Sequence, residues 1–339
     1  MPPNMTPPQA RRPVTLKRIA EQLGLSVTTV ARSLKDGHKI SAETVQRVRD
    51  TADALGYVRN LDGLRLRTGR SYTIAAHLGR NGEDGDPSSL GLLGGLQRGL
   101  VQTDYALRSL PFAQDGRTIA GILSAIRTNR ADGFALDRLT EADERVALLT
   151  DHDYPFVTLG RPDDGGTHAG LFIDEAAGAE ALVAALLAEG RRKVALLDDD
   201  PRYLDCASRR KAVTARLADA GLDLVEPAPF AALPPAHLGA AIVDEVRSGR
   251  IDALVCGTDV HLSVALQALE DAGIPRSETG LAVRSATRLP ALLPGPLHIA
   301  WFAAEHAGLI LADLLVRRIE GEPAEDLQRN ESPEILTRS

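Results

Sequence analysis

Three short runs of apolar residues at helical spacing stand near the start of the chain, and each predicts an amphipathic helix. The predicted helices cover residues 16–23, 27–35 and 42–55. Each follows a hydroxyl side chain that can accept a hydrogen bond from the first turn. The capping residues are Thr15, Ser26 and Ser41, and the inward-facing positions are Leu16, Ile19, Ala20, Leu23, Val30, Ala31, Leu34, Val45, Val48, Ala52 and Leu55.

A tight turn at Gly24 separates the first two helices, which is typical of a helix-turn-helix. The second helix of such a unit enters the major groove of DNA. Its outward positions are small or polar, so that it can approach base edges closely, and Arg32 can donate two parallel hydrogen bonds to a guanine. The alternative is a small helical bundle that binds nothing, with Arg32 merely solvated. The outward residues are Thr28, Thr29, Arg32 and Lys35.

The distribution of charge favours the DNA-binding interpretation. The chain has a net charge of −7, but residues 1–70 hold 13 basic and 6 acidic residues, a net of +7. The other 269 residues hold 26 basic and 40 acidic residues, a net of −14. A basic head on an acidic body predicts a local polyanion-binding module.

From residue 72 onward, short apolar runs alternate with amphipathic helices, which predicts doubly wound parallel sheets. The length of this region exceeds one such sheet, so we expect two lobes with a ligand crevice outside the carboxyl ends of the strands. The predicted strands are 72–78, 106–110, 133–136, 156–159, 170–173, 194–197, 253–256, 281–283 and 298–301. The predicted helices are 90–102, 118–128, 141–151, 175–188, 207–220, 238–248, 260–272 and 304–320.

The composition excludes several other classes of protein. No run of about 18 apolar residues is present, and the proline-rich start of the chain lacks the apolar core of a secretory signal. We therefore expect a cytoplasmic protein without membrane contact. Cys206 and Cys256 are too few and too far apart for a disulfide framework or a thiolate metal site, which favours two reduced thiols.

The segments at 14–34, 40–44 and 55–57 closely resemble the head piece of the lac-repressor (LacI/GalR) family of transcriptional regulators. The resemblance implies a homodimer that binds a palindromic double-stranded operator. It also implies that Val27, Thr28 and Arg32 contact bases, whereas Thr15, Ser26, Thr29 and Asn60 contact phosphates or the DNA backbone.

In that family the stretch after the third helix forms a short hinge helix on DNA and inserts a leucine into the minor groove. Leu66 stands at this position, and Arg65, Arg67 and Arg70 supply positive charge around it. Gly63 makes an isolated helix less favourable, and a flexible basic linker is the alternative. The division is thus a helix-turn-helix domain at 1–59, a hinge at 60–70 and an effector-binding and dimerisation domain at 71–339.

The resemblance continues more weakly through 132–134, 155–161, 172–175, 191–197, 251–259 and 315–321. It implies that both lobes are of the periplasmic-binding-protein type, joined by crossovers near 156–171, 298–301 and 320–323. Carried over by position, the effector contacts are Gly79, Arg80, Arg209, Phe230 and Asp259. Without the match, Arg209 reads as a surface residue, Phe230 as a core residue, and Asp259 as the cap of the helix that follows it.

One departure concerns the effector. The family usually carries an acidic pair after the strand at 281–283, but residues 283–287 contain no acid, and Arg284 or Arg288 is expected to face the cleft instead. This predicts a sugar-like, possibly anionic effector, such as a sugar, sugar acid or sugar phosphate.

Two other functions, an enzyme and a solute-binding protein, are less consistent with the sequence. An enzyme would need the acidic run Asp198 to Asp200 as a metal or acid/base site, but three adjacent acids usually form a solvated loop. No cofactor-binding or nucleophile motif accompanies them. A solute-binding protein would share the lobes but lack the head piece. The sequence therefore predicts a transcriptional repressor, not an enzyme, without cofactor or metal.

Overall fold

The computed structural model describes residues 14–35, 39–57, 61–79, 87–110, 117–161, 167–226 and 235–338. The chain divides into two compact units, residues 1–68 and 69–339. Among the described residues, no helix is both long enough and apolar enough to cross a membrane.

The described part of the first unit is helical. The sequence-based helices form where expected, and the hinge segment is also a helix. Their bounds are α1 (Leu16–Leu23), α2 (Val27–Lys35), α3 (Ala42–Leu55) and α4 (Leu61–Thr68).

The predicted caps are present in this unit. The hydroxyl of Ser26 accepts from the Thr29 amide at 3.0 Å, and that of Thr15 accepts from the Arg18 amide at 3.4 Å. Gly24 ends α1 with φ 67°, a left-handed conformation that costs glycine little. Local chemistry thus fixes where these helices begin and end.

The first unit has a small core, and the predicted inward positions did not include one of its buried residues. Ile19, Val30 and Val48 are fully buried between α1, α2 and α3. Ser33, which was not among the predicted inward positions, is also fully buried. Its hydroxyl donates to the Thr29 carbonyl at 2.9 Å, so burial leaves no unsatisfied donor.

The second unit contains two sheets. Lobe 1 has the strand order β10-β5-β4-β3-β1-β2, all parallel. Lobe 2 has the order β11-β9-β8-β7-β6, parallel except for β11. The strands are β1 (Thr73–His77), β2 (Ala106–Ser109), β3 (Gly133–Leu136), β4 (Phe156–Leu159), β5 (Gly170–Ile173), β6 (Val194–Leu197), β7 (Ala253–Cys256), β8 (Gly280–Ser285), β9 (Leu297–Trp301), β10 (Gln328–Glu331) and β11 (Glu334–Arg338).

Helices cover both faces of each sheet, which confirms the doubly wound prediction. Lobe 1 carries α5, α6, α7 and α12, and lobe 2 carries α8 to α11. They are α5 (Pro87–Gly99), α6 (Arg117–Arg127), α7 (Glu144–Asp151), α8 (Glu175–Ala188), α9 (Leu204–Ala218), α10 (Pro235–Arg247), α11 (Asp259–Asp271) and α12 (Ala304–Ile319).

The last two strands were missed, and with them the position of a crossover. β10 and β11 are mostly polar, so their sequence lacks an apolar run. β10 joins lobe 1 and β11 joins lobe 2, so the third crossover passes through Ser332 and Pro333, and the expectation of 320–323 was wrong. The first crossover follows β5 at Asp174, outside the expected 156–171. The second passes through 302–303, just after the expected 298–301.

Candidate functional site

The first candidate site is the outward face of α2. Val27 is 45% exposed, and Thr28 and Arg32 are also exposed. An apolar side chain left in solvent at the start of a recognition helix is available for contact with a base edge. The three residues expected to contact bases therefore share an accessible surface.

The residues expected to contact phosphates have more constrained side chains. Ser26 and Thr15 cap their helices, and the hydroxyls of Ser26 and Thr29 lie 2.8 Å apart. Thr29 is half-buried. Asn60 lies outside the described residues.

The α4 helix presents a second exposed surface. Leu66 is 89% exposed, and Arg65 and Arg67 are exposed beside it. Arg70 was expected to supply positive charge beside them. Its guanidinium donates to the Ile319 carbonyl at 3.1 Å and contacts the hydroxyl of Tyr105, so it belongs to the second unit's packing.

The second candidate site is a cleft of about 800 Å³ between the lobes, lined by the carboxyl ends of strands in both sheets. In lobe 1, β1 lies between β2 and β3. In lobe 2, Ala195 of β6 pairs with Val225 on the side away from β7. Where the connections from neighbouring strands run to opposite sides, a crevice opens at the carboxyl ends of those strands. The cleft lies at this position, which is where doubly wound sheets bind ligands.

Arg209 lies at the wall of this cleft and is almost fully buried, with 3% of its side chain exposed. Its Nε and Nη2 donate to Asp198 at 2.8 and 3.0 Å, and Nη1 donates to Glu175 at 2.9 Å. Nη2 also contacts Asp205 at 3.2 Å. The fork that the sequence assigned to an effector is therefore engaged with three carboxylates of its own lobe.

Arg284 faces the same cleft from β8. Its Nη2 donates to Glu175 at 2.8 Å, so one carboxylate bridges two arginines. Among the described residues, none accepts a hydrogen bond from Nη1 of Arg284, which leaves that group as a donor at the cleft wall. Arg288 does not line the cleft, because its guanidinium stacks 3.9 Å from the ring centroid of Trp301.

The interpretation of the acidic run as a solvated loop was wrong for two of its members. Asp198 and Asp199 are each 8% exposed, and they pair with Arg209 and Arg138. Their oxygens and the sulfur of Cys206 lie within 4.8 Å of one another, close enough for a metal. Burial, with the neighbouring carboxylates, raises the pKa of the Cys206 thiol well above its usual value, and the two aspartates are already held in ion pairs.

Two expected contacts lie near the cleft without lining it. Gly79 donates its amide to both oxygens of Asp137, at 3.1 and 3.2 Å. Asp259 accepts from the Thr287 hydroxyl at 2.7 Å, and Thr258, not Asp259, caps α11. Arg80 and Phe230 lie outside the described residues.

The residues that sequence reasoning missed are the carboxylates themselves. Glu175, Asp205 and Asp137 all line the cleft. Burial raises the pKa of Asp137 to about 7, whereas for Asp205 burial is outweighed by Arg209, Arg138 and Arg284, which lower its pKa to about 2. The only sequence signal was their place directly after a strand or at the start of a helix.

Among the described residues, acidic side chains at the cleft outnumber basic ones, six to five. The acidic residues are Asp137, Asp174, Glu175, Glu180, Asp205 and Glu331, and the basic residues are Arg138, Arg161, Arg209, Lys211 and Arg284. Two of these arginines are already paired to carboxylates, so basic residues are not in excess among the described lining residues, and an anionic effector stays a prediction.

Comparison with known proteins finds a family match at the head piece and similar proteins along nearly the whole chain. The profile described as "Bacterial regulatory proteins, lacI family" matches residues 15–60. The HTH-type transcriptional regulator AglR of Rhizobium meliloti (strain 1021) is 28% identical over 331 residues, which cover 94% of this chain and 92% of the relative.

Solved structures share the fold. A lac repressor dimer bound to operator and the anti-inducer ONPF has a TM-score of 0.71 at 16% identity, covering 96% of this chain and 98% of its own. A complex of the transcriptional regulator CelR with cellobiose has a TM-score of 0.67 at 21% identity, again over 96% and 98%. Residues 15–60 thus match the DNA-binding head piece of the LacI family, and nearly the whole chain is similar in sequence and fold to transcriptional regulators.

Proposed function

We propose that this regulator is a homodimeric repressor whose operator affinity is controlled by a neutral saccharide bound between the lobes. The observation that carries the proposal is the cleft wall, where open donors and acceptors stand side by side without excess positive charge. Arg284 offers Nη1 as a donor, and the partly exposed carboxylate of Asp205 offers an acceptor. Paired sugar hydroxyls need this alternation of donor and acceptor.

The size of the cleft and the relatives support the same class of ligand. A volume of about 800 Å³ stands in the upper part of the ~300–1,000 Å³ range of ligand clefts, which suits more than one sugar ring. One structural neighbour was solved with cellobiose. A relative of Vibrio furnissii is described as a maltose regulon regulatory protein.

Neutral sugars are expected to bind more tightly than their acids. In calorimetry with the full-length protein, glucose should bind about tenfold more tightly than glucuronate, a difference of ~1.4 kcal/mol. The reason is that an added carboxylate would meet Glu175 and Asp205, while the guanidinium groups of Arg209 and Arg284 are already paired with carboxylates. Cellobiose and maltose are the matched larger probes.

A pair of arginine variants controls this measurement. Arg284→Met removes the open donor and should weaken sugar binding, whereas Arg288→Met removes a guanidinium that stacks on Trp301 outside the cleft and should not. Tighter binding of glucuronate would sink the neutral-ligand proposal. If none of these sugars binds, or if bound sugar leaves operator affinity unchanged, the sensor role fails, because coupled sites shift each other's affinity, typically ~5–150-fold.

We propose that α2 contacts base edges through Val27, Thr28 and Arg32. Arg32→Ala should lose about 1–3 kcal/mol of discrimination at one base pair, because a bidentate contact to guanine is removed. Selection from randomised operator sites measures this directly. Lys17→Ala, which removes one exposed positive charge from α1, should weaken binding without changing the preferred sequence. An unaltered consensus with Arg32→Ala would refute the base contact.

We further propose that Leu66 enters the minor groove as a wedge between base steps. An apolar side chain that is 89% exposed and flanked by arginines suits this role. DNA bending should decrease with Leu66→Ala, and an unchanged bend in a circular-permutation assay would contradict the wedge.

The homodimer is proposed from exposed apolar side chains of the second unit. Leu292 is 77% exposed in a short 3₁₀ turn, and Leu289 is 59% exposed beside it. On lobe 1, Leu90 and Val101 are 68% and 67% exposed. Exposed large apolar side chains of this kind are available to a protein interface. A sedimentation profile showing only monomer at micromolar concentration would contradict the dimer.

A further inference from the structure

The two lobes touch at a second place besides their three crossovers. All crossovers leave from the strands at one side of each sheet: β5 and β10 in lobe 1, β9 and β11 in lobe 2. The second contact joins the loops after β3 and β6. In lobe 2, β6 is three strands from β9, which at about 4.8 Å per strand is ~14 Å from the crossovers. Contacts this far from a hinge resist its opening.

Arg138 makes the side-chain part of this contact. Its Nη1 donates to Asp199 across the cleft at 3.1 Å, with side chains only 13% and 4% exposed. Its guanidinium carbon also lies 4.0 Å from the ring centroid of Tyr203 in lobe 2. Such partly desolvated charge pairs and cation–π contacts are stronger than their solvent-exposed counterparts.

The backbone makes the other part. The amide of Leu204 in lobe 2 donates to the carbonyl of Leu139 in lobe 1 at 2.9 Å. Thr140 and Tyr203 pair as an antiparallel bridge. Because Leu204 is the first residue of α9, its amide has no acceptor within its own helix, so the bond to Leu139 is specific to the closed arrangement of the lobes.

Carboxylates from both lobes favour an ionised Arg138. Asp205 and Asp199 stand on the lobe 2 side and Asp137 precedes Arg138 in lobe 1. The ring of His261, from α11, lies 3.8 Å from Asp199. Burial alone would lower the pKa of Arg138, but these carboxylates raise it above its usual value, so the cation persists at any physiological pH.

We propose that Arg138, with Asp199 and Tyr203, forms an inter-lobe latch that sets how often the cleft stands closed before any effector binds. Its consequence for gene regulation rests on the proposed sensor function, because a ligand that requires the closed form has an apparent affinity scaled by the closed fraction. Arg138 is here a positioning residue. It acts on the effector site through the lobes that it joins.

The test is hydrogen exchange of the Leu204 amide in the full-length protein without any sugar. Arg138→Met should speed this exchange about tenfold, because loss of the ion pair and the ring contact raises the frequency of opening. Arg202→Met is the matched control. Arg202 lies in the same loop, is mostly exposed and pairs with Asp200 of its own lobe, so exchange at Leu204 should not change.

A second variant guards against misfolding. Asp199→Asn keeps the shape of the side chain and removes the charge, and it should speed exchange at Leu204 in the same direction as Arg138→Met. Unchanged exchange in either correctly folded variant, as judged by circular dichroism, overturns the latch. The measurement contains no sugar, so this result leaves the saccharide proposal standing, and a failure of every saccharide to bind leaves the latch result intact.

Discussion

Replacing Arg209 with methionine is expected to destabilise the protein by about 3–5 kcal/mol. The Arg209 side chain is 3% exposed and pairs with Asp198, Glu175 and Asp205, so its removal leaves two buried carboxylates and a partly exposed one without their main partner. Glu175 would keep Arg284, but Asp198 has no second arginine among the described contacts. Urea unfolding followed by circular dichroism measures the loss, which should appear in the midpoint rather than in the slope.

The loss of stability in Arg209→Met should become smaller as the pH is lowered. Arg209, Arg138 and Arg284 overcome the effect of burial and hold the pKa of Asp205 near 2, below its unfolded value of about 4. The stabilisation that ionised Asp205 gives the native protein is therefore complete above pH ~4, the unfolded pKa. It is lost as the pH falls from there through 2. Without Arg209 the pKa values of the carboxylates rise, so the variant gains relative stability on acidification and the deficit shrinks from pH 7 to pH 5.

Arg210→Met is the matched control for this experiment. Arg210 is the next residue of α9, but its side chain is 42% exposed and pairs with Glu226 at the surface, so its loss should cost well under about 1 kcal/mol. Equal losses for the two variants, or a deficit for Arg209→Met that does not vary with pH, would show that the buried network does not support the fold.

Gly95→Ala is the other substitution expected to have a large effect. In lobe 1, α5 crosses α12 through glycines: a Cβ at Gly95 would lie 2.9 Å from the Cα of Gly308, and one at Gly308 would lie 2.6 Å from the Leu96 amide nitrogen. These are backbone atoms that cannot rotate away, so the two helices must separate. We expect a loss of about 3 kcal/mol in the same urea titration.

The adjacent glycine supplies the control. Gly94 is exposed, and a Cβ there would meet nothing within 4 Å. Gly94→Ala should therefore be neutral or stabilise the protein by up to ~1 kcal/mol, because alanine favours the helix. If Gly95→Ala were as stable as Gly94→Ala, the contact between α5 and α12 would be looser than the structure indicates.

Local elements were largely predictable from the sequence. The helices of the head piece depend on caps and apolar spacing within one or two turns, and Thr15, Ser26 and Gly24 adopt the expected roles. The central strands of both lobes are buried on both faces, so they appear in the sequence as apolar runs. The edge strands β10 and β11 have no such run, because polar residues are tolerated there, and they were missed.

The sequence by itself determined the head piece, the alternation of strands and helices, and the family, because each depends on residues close together in the chain. The tertiary structure alone decided what the charged residues do. Glu175 and Arg209 are 34 positions apart, and Arg284 and Glu175 are 109 apart, yet they form one buried network. A sequence does not show whether the hydrogen-bond donors of an arginine are already paired. Only folding shows whether carboxylates from distant elements already occupy its donors, as Glu175 does for Arg209 and Arg284.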